Sequence, residues 1–366
     1  MSVGPIFSPS GGIGAPGAST ATSGQAHSAA LPLPSPAAAV QALAAPLESA
    51  LASVMLEAMS TQDSLAPLLA DLTAAVASDA LPQSARVTAQ QILDTQIPLD
   101  STVTSQDLRA AVAGSGLFLE TLLASAALTP GGGGAPELSA DLKALLSQLV
   151  DQLSPQAQTA ALALAGAEAL PAADPRRLAL RGASDRPPPP SRDGLTSAQP
   201  ASQTSLEPGD SLGLLSRTLR QDAQAALARL QLSQIASLPK PGAATRWTFD
   251  LPVTAPQGRA MAQFEISRDG AGSGATLGTA PTWRAKFSIN VEPGGPVHAE
   301  VALSGGRTRV TLWSERDDAR RSLAARQGEL AAELAGPQGV DAAVRVLTGS
   351  PAPPAVEAGR LINRTS

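Results

Sequence analysis

The sequence predicts an α+β fold, in which a β-rich domain follows a long region of alanine-rich helices. Residues 281–315 read PTWRAKFSINVEPGGPVHAEVALSGGRTRVTLWSE and contain three runs of alternating apolar and polar residues, with a turn after each of the first two. This alternation is typical of a half-buried β-sheet. Six of the eight aromatic residues lie between positions 247 and 313. Because aromatic side chains bury large areas, we expect the rigid core in this part of the chain.

The 366 residues are enough for two or three domains, and their charge is unevenly divided. Residues 1–239 carry 11 Lys/Arg against 19 Asp/Glu, whereas residues 240–366 carry 15 against 12. Neither part has the strong basic cluster of a nucleic-acid-binding domain, so we expect no nucleic-acid partner. The absence of cysteine excludes disulfides, thiol catalysis and cysteine-bound metals.

The N-terminal segment, residues 1–36, is rich in Gly, Ser, Pro and Ala, and this composition predicts disorder. The first charged side chain is Glu48 and the first basic one is Arg86, so the basic n-region of a cleaved secretory signal is missing. No stretch approaches the roughly 18 apolar residues of a membrane span. We therefore expect no membrane insertion, and any export must use a route without a cleaved hydrophobic signal.

Residues 37–169 predict several helical segments rich in alanine and leucine. Alanine favours helix but buries little area, so these helices are expected to pack weakly. One predicted helix covers 105–128, with glycines in its middle and one apolar face formed by Leu108, Val112, Leu119 and Leu122. A clearer stripe at helical spacing follows in 137–153, formed by Leu138, Leu142, Leu145, Leu149 and Leu153.

Residues 170–209 predict a proline-rich linker, in which Pro187 to Pro190 favour an extended, stiff conformation. The most convincing helix of the chain follows at 210–238. Asp210 or Ser211 would cap it, and Pro239 would end it. Its apolar positions recur at steps of three and four residues: Leu212, Leu215, Leu219, Ala223, Ala226 and Leu230.

The C-terminal core domain is predicted over 245–350, in the order β-β-β-β-β-α-β, with one helix covering the sheet. Ser304-Gly305-Gly306 predicts a tight hairpin, and Ser314 with Asp317 resembles a capping box before the helix. Gly336 would end that helix, and 351–366 would form a flexible tail. The residues expected to build the core are Trp283, Phe287, Ile289, Val301, Leu303, Gly305, Gly306, Val310, Leu312, Leu323 and Leu330.

Residues that carry enzyme chemistry are scarce. The two histidines are His27, in the segment that predicts disorder, and His298, which alternates with the buried set of its strand and is expected on the solvent face. The sequence has no zinc-protease, nucleophile-elbow, dinucleotide or phosphate-loop motif. The pair Asp317-Asp318 is better explained by the dipole of the following helix than by a metal site. We therefore expect no enzyme activity, no cofactor, no metal and no small-molecule substrate.

The segment VALSGGRTRVTLWSE (301–315), followed by an arginine-rich helix, resembles the C-terminal core of flagellar hook-length control (FliK-like) proteins. The similarity includes Trp283 before the strand pair and Gly349, Pro351 and Gly359 after it. Two upstream segments, 115–124 and 226–239, also resemble pieces of the larger members. This chain departs from the family at Pro293-Gly294-Gly295-Pro296, where many members have a Pro-x-x-Leu-Gly box.

The resemblance implies a protein that is itself exported by the flagellar type III apparatus. Its N-terminal part would sample the growing rod and hook, with hook and hook-cap subunits as partners. Its C-terminal core would dock on the switch protein of the export gate and change export from hook to filament substrates. Such a protein is cytoplasmic before export and secreted afterwards.

For the docking contact, we expect the solvent face of the sheet and the exposed face of the last helix. The candidate contact residues are Arg284, Lys286, Arg307, Arg309, Arg316 and Arg320, and the alternative is that they are solvated surface charges. Trp313 falls out of phase with Val310 and Leu312, so it is expected to pack on the opposite face of the sheet. A second class, a secreted or cytosolic binding module unrelated to flagella, remains open from the residues alone.

Overall fold

The computed structural model describes residues 36–100, 102–128, 140–166, 186–192, 194–240, 242–255, 258–269, 281–336 and 341–352. The predicted disordered start, the first half of the proline-rich linker and the tail after 352 lie outside the described residues. The chain divides into the units Met1–Ser49 and Ala50–Ser366, and all packing described below is within the second unit.

The helices before the sheet are α1 (Pro36–Thr61), α2 (Leu65–Ala77), α3 (Gln83–Asp94), α4 (Ser105–Ala113), α5 (Leu119–Leu128), α6 (Leu142–Gly166) and α7 (Leu212–Ala236). The strands are β1 (Ile97–Pro98), β2 (Thr245–Ala255), β3 (Gly258–Arg268), β4 (Trp283–Val291), β5 (Gly295–Ser304), β6 (Arg307–Ser314) and β7 (Asp341–Thr348). Between β6 and β7 lie α8 (Asp317–Ala325) and α9 (Gln327–Ala335).

The predicted α+β class is confirmed. The strands form one sheet in the order β1-β2-β3-β4-β5-β6-β7, so neighbours in sequence are also neighbours in space. Strands β2 to β6 are antiparallel, while β1 is parallel to β2 and β7 is parallel to β6. The connection through α8 and α9 returns the chain to the starting end of β6, which allows β7 to run parallel to it.

The apolar face of the sheet contains a row of paired residues, one from each central strand. Phe249 pairs with Phe264, which pairs with Phe287 and then Ala299. The first two phenylalanine rings stack at 5.5 Å, and the next pair lies at 5.3 Å between ring centroids. Offset aromatic contacts of this kind add to the stabilisation from area burial.

Two parts of the chain cover this apolar face. Over β2–β4 it packs against the end of α4 and the turn after it, through Val112, Leu117 and Phe118. Over β5–β7 it packs against Leu323 of α8 and Leu330 of α9. The single covering helix that we predicted is therefore two short helices with a break at Arg326, and a second cover exists at the other end of the sheet.

The helices before the sheet pack more closely than their alanine content led us to expect. Helices α2, α3, α6 and α7 share one core with residues that are fully or almost fully buried, including Leu68, Leu69, Leu72, Ile92, Leu145, Leu149, Leu153 and Leu219. Met261 of β3 belongs to the same core. Leucine supplies the buried area here, and alanine at the contact points allows the helix axes to come close.

The helix predicted over 105–128 is divided into α4 and α5 by the turn at Gly114–Phe118. The expected apolar stripe was wrong at two positions, because Leu108 and Leu122 are 45% and 42% exposed. Gly116 explains the break: it has φ +83°, and a Cβ there would lie 2.7 Å from Leu230 Cδ1 and 2.9 Å from the backbone nitrogen of Lys143. Only glycine fits this close approach.

Two predicted helix caps have different outcomes. Ser211 caps α7, since its side chain accepts a hydrogen bond from the Leu214 N–H at 3.3 Å. The capping box at Ser314 was wrong. Helix α8 begins after Arg316 without a side-chain cap, and the buried Ser314 hydroxyl donates to the Arg316 carbonyl oxygen instead.

Candidate docking surface

The polar face of the sheet is opposite the apolar face, and its part over β6, β7 and the Arg284–Lys286 end of β4 is open among the described residues. The side chains of Arg284, Lys286, Arg307, Arg309 and Arg345 lie on this part, because they alternate with the buried positions of their strands. We call these five residues the basic face. Four of them were predicted as contact residues, and Arg345 was missed because its strand was identified from its apolar positions alone.

Local carboxylates neutralise only part of the basic face. Arg284 lies 3.7 Å from Asp269, and Lys286 lies 3.4 Å from the buried Glu265, which also pairs with Arg246. Arg307 lies 3.4 Å from Asp341 across the β6–β7 pair, and both of these side chains are at least 70% exposed. Within the described part of the chain, Arg309 and Arg345 have no carboxylate at salt-bridge distance. Neither arginine is therefore neutralised by a direct ion pair, although the Glu300 carboxylate lies on the same face, opposite Lys286 and Thr311.

Two apolar side chains border the basic face. Trp313 is opposite His298 on β5 and Leu347 on β7, on the face that does not contain Val310 and Leu312. Trp313 is half-buried, and Leu347 is 44% exposed. An aromatic and a leucine beside unpaired arginines form the composition that protein contact surfaces favour.

Arg316 and Arg320, the other two predicted contact residues, do not lie on the basic face. Both are at the start of α8, which covers the apolar face, and both pair locally: Arg316 with Asp318 at 3.1 Å and Arg320 with Asp317 at 3.4 Å. The hydrogen bonds to Asp318 raise the pKa of the Arg316 guanidinium above its ordinary value. We predicted all six residues on one surface, because the sequence does not show that the helix and the basic residues of the strands lie on opposite faces of the sheet.

The stem of Arg316 packs against the turn at which this chain departs from the hook-length control pattern. Gly295 has φ +75° in this turn, and a Cβ there would lie 2.7 Å from Arg316 Cδ. The Gly-Gly turn therefore accommodates the first residue before α8. This contact gives Arg316 a structural role.

Two of the residues expected in the core are at the surface. Trp283 is 38% exposed and Leu303 is 45% exposed, because they pair with each other at the open end of β4 and β5, beyond the covering helices. The Trp283 ring stacks on Trp247 at 6.2 Å and lies 5.4 Å from the Arg268 guanidinium. The other expected side chains lie in or against the sheet cores (Phe287, Ile289, Val301, Val310, Leu312, Leu323, Leu330), and Gly305 and Gly306 form the hairpin with positive φ.

The rest of the polar face is covered by the helix core around Met261 and by an extended segment, described over residues 186–192 and 194–209, which we call the strap. Thr196 Oγ1 lies 2.7 Å from Ser288 Oγ, and the backbone N–H of Ser197 donates to Gln263 Oε1 at 2.7 Å. Further along, Thr204 Oγ1, Ser205 N and Ser205 Oγ all donate to the fully buried carboxylate of Asp71 on α2. The strap is extended and is bound by polar contacts along its length.

The prediction for His298 was wrong: it is only 6% exposed, because the strap covers its strand on the face we expected to be open. Its Nδ1 lies 2.6 Å from Ser288 Oγ, and its Nε2 lies 3.5 Å from the Glu315 carboxylate. The order Ser-His-Glu resembles a catalytic triad, but Ser288 is fully buried and its hydroxyl donates to the Thr196 carbonyl oxygen. Ser288 therefore holds the strap, and the burial of its oxygen is unlike the exposed nucleophile of a catalytic triad.

Arg229 on α7 joins the strap, the helices and the sheet, and the sequence analysis did not identify it. Its side chain pairs with Asp250 of β2 and donates to the Pro188 carbonyl oxygen and to Gln62 Oε1, each at 3.0 Å. Gln62 in turn donates to the Pro187 carbonyl oxygen. The sequence could have indicated Arg229 as a charged residue that lies between alanine and leucine positions on an otherwise apolar face of α7.

Among the described residues, no group of three or more His, Cys, Asp or Glu side chains is arranged to hold a metal ion. In the same residues, no helix is long and apolar enough to cross a membrane.

Residues 272–354 match the family model described as flagellar hook-length control protein FliK. This part of the chain is FliK-like. The matched range contains β4 to β7 with α8 and α9, and therefore all five residues of the basic face. No curated protein and no solved structure matches the chain significantly. Strands β2 and β3, the strap and the helices before them lie outside the match, although they share cores and hydrogen bonds with it.

Proposed function

We propose that this FliK-like protein controls hook length by switching flagellar type III export from rod and hook substrates to filament substrates. In this proposal the basic face docks on the switch protein of the export gate. The observation that carries it is the asymmetry of the matched segment: its own helices seal one face of β5–β7, while the other face is open and has two unpaired arginines. A surface that is sealed on one side and charged on the other favours one docking direction.

The N-terminal part would act earlier, during export along the growing rod and hook. About 240 extended residues span roughly 80 nm, so the reach is sufficient to sample a structure of tens of nanometres and its hook and hook-cap subunits. The chain would begin in the cytoplasm and be secreted through the flagellar channel. Passage through a narrow channel requires the leucine core of α2, α3, α6 and α7 to unfold, and the polar strap contacts ease this step because water replaces them readily.

The docking surface is tested by reversing its unpaired charges in flagellated cells that carry this gene. We expect Arg309→Glu with Arg345→Glu to give overlong hooks and few or no filaments, at unchanged protein level. The matched control is Arg321→Glu with Arg326→Glu, which places the same charge change on α8 and the break after it. Electron microscopy of hook length measures both strains. Normal hooks and filaments in the β6–β7 variant would overturn the basic face as the docking surface.

Deletion of 245–366 tests the function as a whole. We expect overlong hooks without filaments, because the entire docking domain is lost. Normal filaments in this strain would remove the flagellar assignment and favour a binding module with another partner.

A further inference from the structure

Strand β7 forms one edge of the sheet, and it is a long and largely exposed edge strand. It pairs with β6 through eight consecutive residues, from Asp341 opposite Arg307 to Thr348 opposite Ser314. In the described part of the chain no strand pairs with its other side. The one side-chain donor to a β7 carbonyl among the described residues is Gln327, whose Nε2 lies 2.8 Å from the Val344 oxygen. The strand therefore presents a row of backbone donors and acceptors to an incoming chain.

The devices that usually block such an edge are few in β7. It has no proline, and its register with β6 continues without a bulge. Its blocking features are the Gln327 hydrogen bond to the Val344 oxygen and the charge of Arg345, which is exposed and unpaired. A positive charge repels a basic strand but attracts an acidic one, so the edge discriminates between partners.

The side chains of β7 on the basic-face side define what fits beside it. Arg345 and Leu347 are two residues apart, and Arg309 of β6 lies diagonally next to Arg345. An added strand would lie about 4.8 Å from β7, with alternate side chains on the same face. A carboxylate opposite Arg345 and an apolar side chain opposite Leu347, two positions away, would complement both.

We propose that the outer edge of β7 binds an extended acidic segment of a partner protein, which joins the sheet as an additional strand. Main-chain hydrogen bonds supply the affinity, and the acidic-x-apolar pattern supplies the specificity. This inference rests on the proposed function only where it assigns the acidic segment to the export gate.

The probe is a labelled ten-residue peptide of threonines that carries one glutamate and one leucine two positions apart, tested against the full chain by fluorescence anisotropy. We expect saturable binding, weakened at least tenfold by Arg345→Glu. Lysine in place of the peptide glutamate should restore binding to the Arg345→Glu protein. Arg326→Glu is the matched control and should leave binding unchanged. Absence of saturable binding at millimolar peptide would overturn the proposal.

Backbone pairing is separated from binding on the open face by two N-methylated peptides, each methylated at one of the two sets of alternate amides. Only one set points at β7, so one peptide should lose binding and the other should keep it. If methylation weakens the binding of neither peptide, or weakens the binding of both equally, strand addition is contradicted.

The results also separate this inference from the proposed function. If the peptides fail but the Arg309 and Arg345 variants still lose the switch in cells, the edge is wrong and the function stands. If the peptides bind and the 245–366 deletion strain has normal filaments, the edge stands and the flagellar assignment falls.

Discussion

The guanidinium of Arg229 on α7 pairs with the carboxylate of Asp250 on β2, and the two side chains are only 3% and 13% exposed. The same guanidinium binds the strap and Gln62, the residue that follows α1. The helices before the sheet and the sheet itself are thus joined by a buried ion pair, so the matched residues 272–354 belong to a larger folded unit.

Removing this arginine should strongly destabilise the fold. Arg229→Met leaves the Asp250 carboxylate largely buried without its ion-pair partner, and breaking a buried pair in this way costs about 3–5 kcal/mol. The midpoint of urea unfolding measures the effect. Arg307→Met is the matched control, since its pair with Asp341 is at least 70% exposed and contributes little. Equal midpoints for the two variants would contradict the structural role of Arg229.

Opening of the strap should depend on Asp71. Asp71→Ala removes the acceptor of three hydrogen bonds from Thr204 and Ser205, so the strap should open more often. Trypsin cleavage after Arg192 should accelerate at least tenfold, because cleavage follows the population of the open form. Asp79→Asn changes a carboxylate that is 79% exposed and should leave the rate unchanged. General cleavage across the sheet would show global unfolding and contradict local release.

Gly116 should tolerate substitution less well than a glycine with the same sign of φ in open space. Gly116→Ala meets both the strain of φ +83° and contacts under 3 Å with Leu230 and Lys143, whereas Gly306→Ala at φ +75° meets nothing within 4 Å. The first variant should therefore lose roughly 1–3 kcal/mol more than the second, from overpacking. Thermal melting of both proteins compares them, and equal melting temperatures would refute the close approach at Gly116.

Asp141 should make stability fall as pH rises. Burial raises the pKa of its carboxyl above the ordinary value of 3.8, and the nearby Glu120 adds to this shift. The folded state therefore holds the proton more tightly, and stability declines as pH rises from about 4 through the folded pKa. Asp141→Asn keeps an oxygen for the Ala144 N–H at the start of α6 and removes the charge, so it should stabilise at pH 7 and lose this advantage below pH 4.

Asp107 provides a control because the pKa of its carboxyl is shifted in the opposite direction to that of Asp141. Hydrogen bonds from the Thr104 side chain and backbone lower the pKa of its carboxyl, so its contribution is present at neutral pH and is lost as the pH falls through the folded pKa. Unfolding curves from pH 3 to 7 should show that Asp107→Asn destabilises at neutral pH only. A stabilising effect of Asp107→Asn at pH 7 would contradict this assignment.

The local sequence pattern was sufficient to predict the strands and helices that depend on residues only a few positions apart. The alternation around Trp247, Phe287 and Val310 predicts strands, and the spacing of Leu215, Leu219 and Ala223 predicts α7. Sequence reasoning failed where a side chain's environment depends on a distant segment. His298 is buried beside Ser288, to which the strap binds from about 90 residues away, and the expected helix is broken at Gly116, which closely approaches Leu230 and Lys143.

By itself, the sequence determined the α+β class, the order of the strands and the similarity to hook-length control proteins, because periodicity and turn residues act over a few positions. Tertiary structure alone decided which part of the polar face stays open. The strap and Arg229 close the part over β2, β3 and Ser288 of β4, whereas α8 and α9 pack on the apolar face and leave Arg309 and Arg345 at the surface. The physical reason is that exposure depends on what packs on each face, and a strand's own alternation specifies only that its two faces differ.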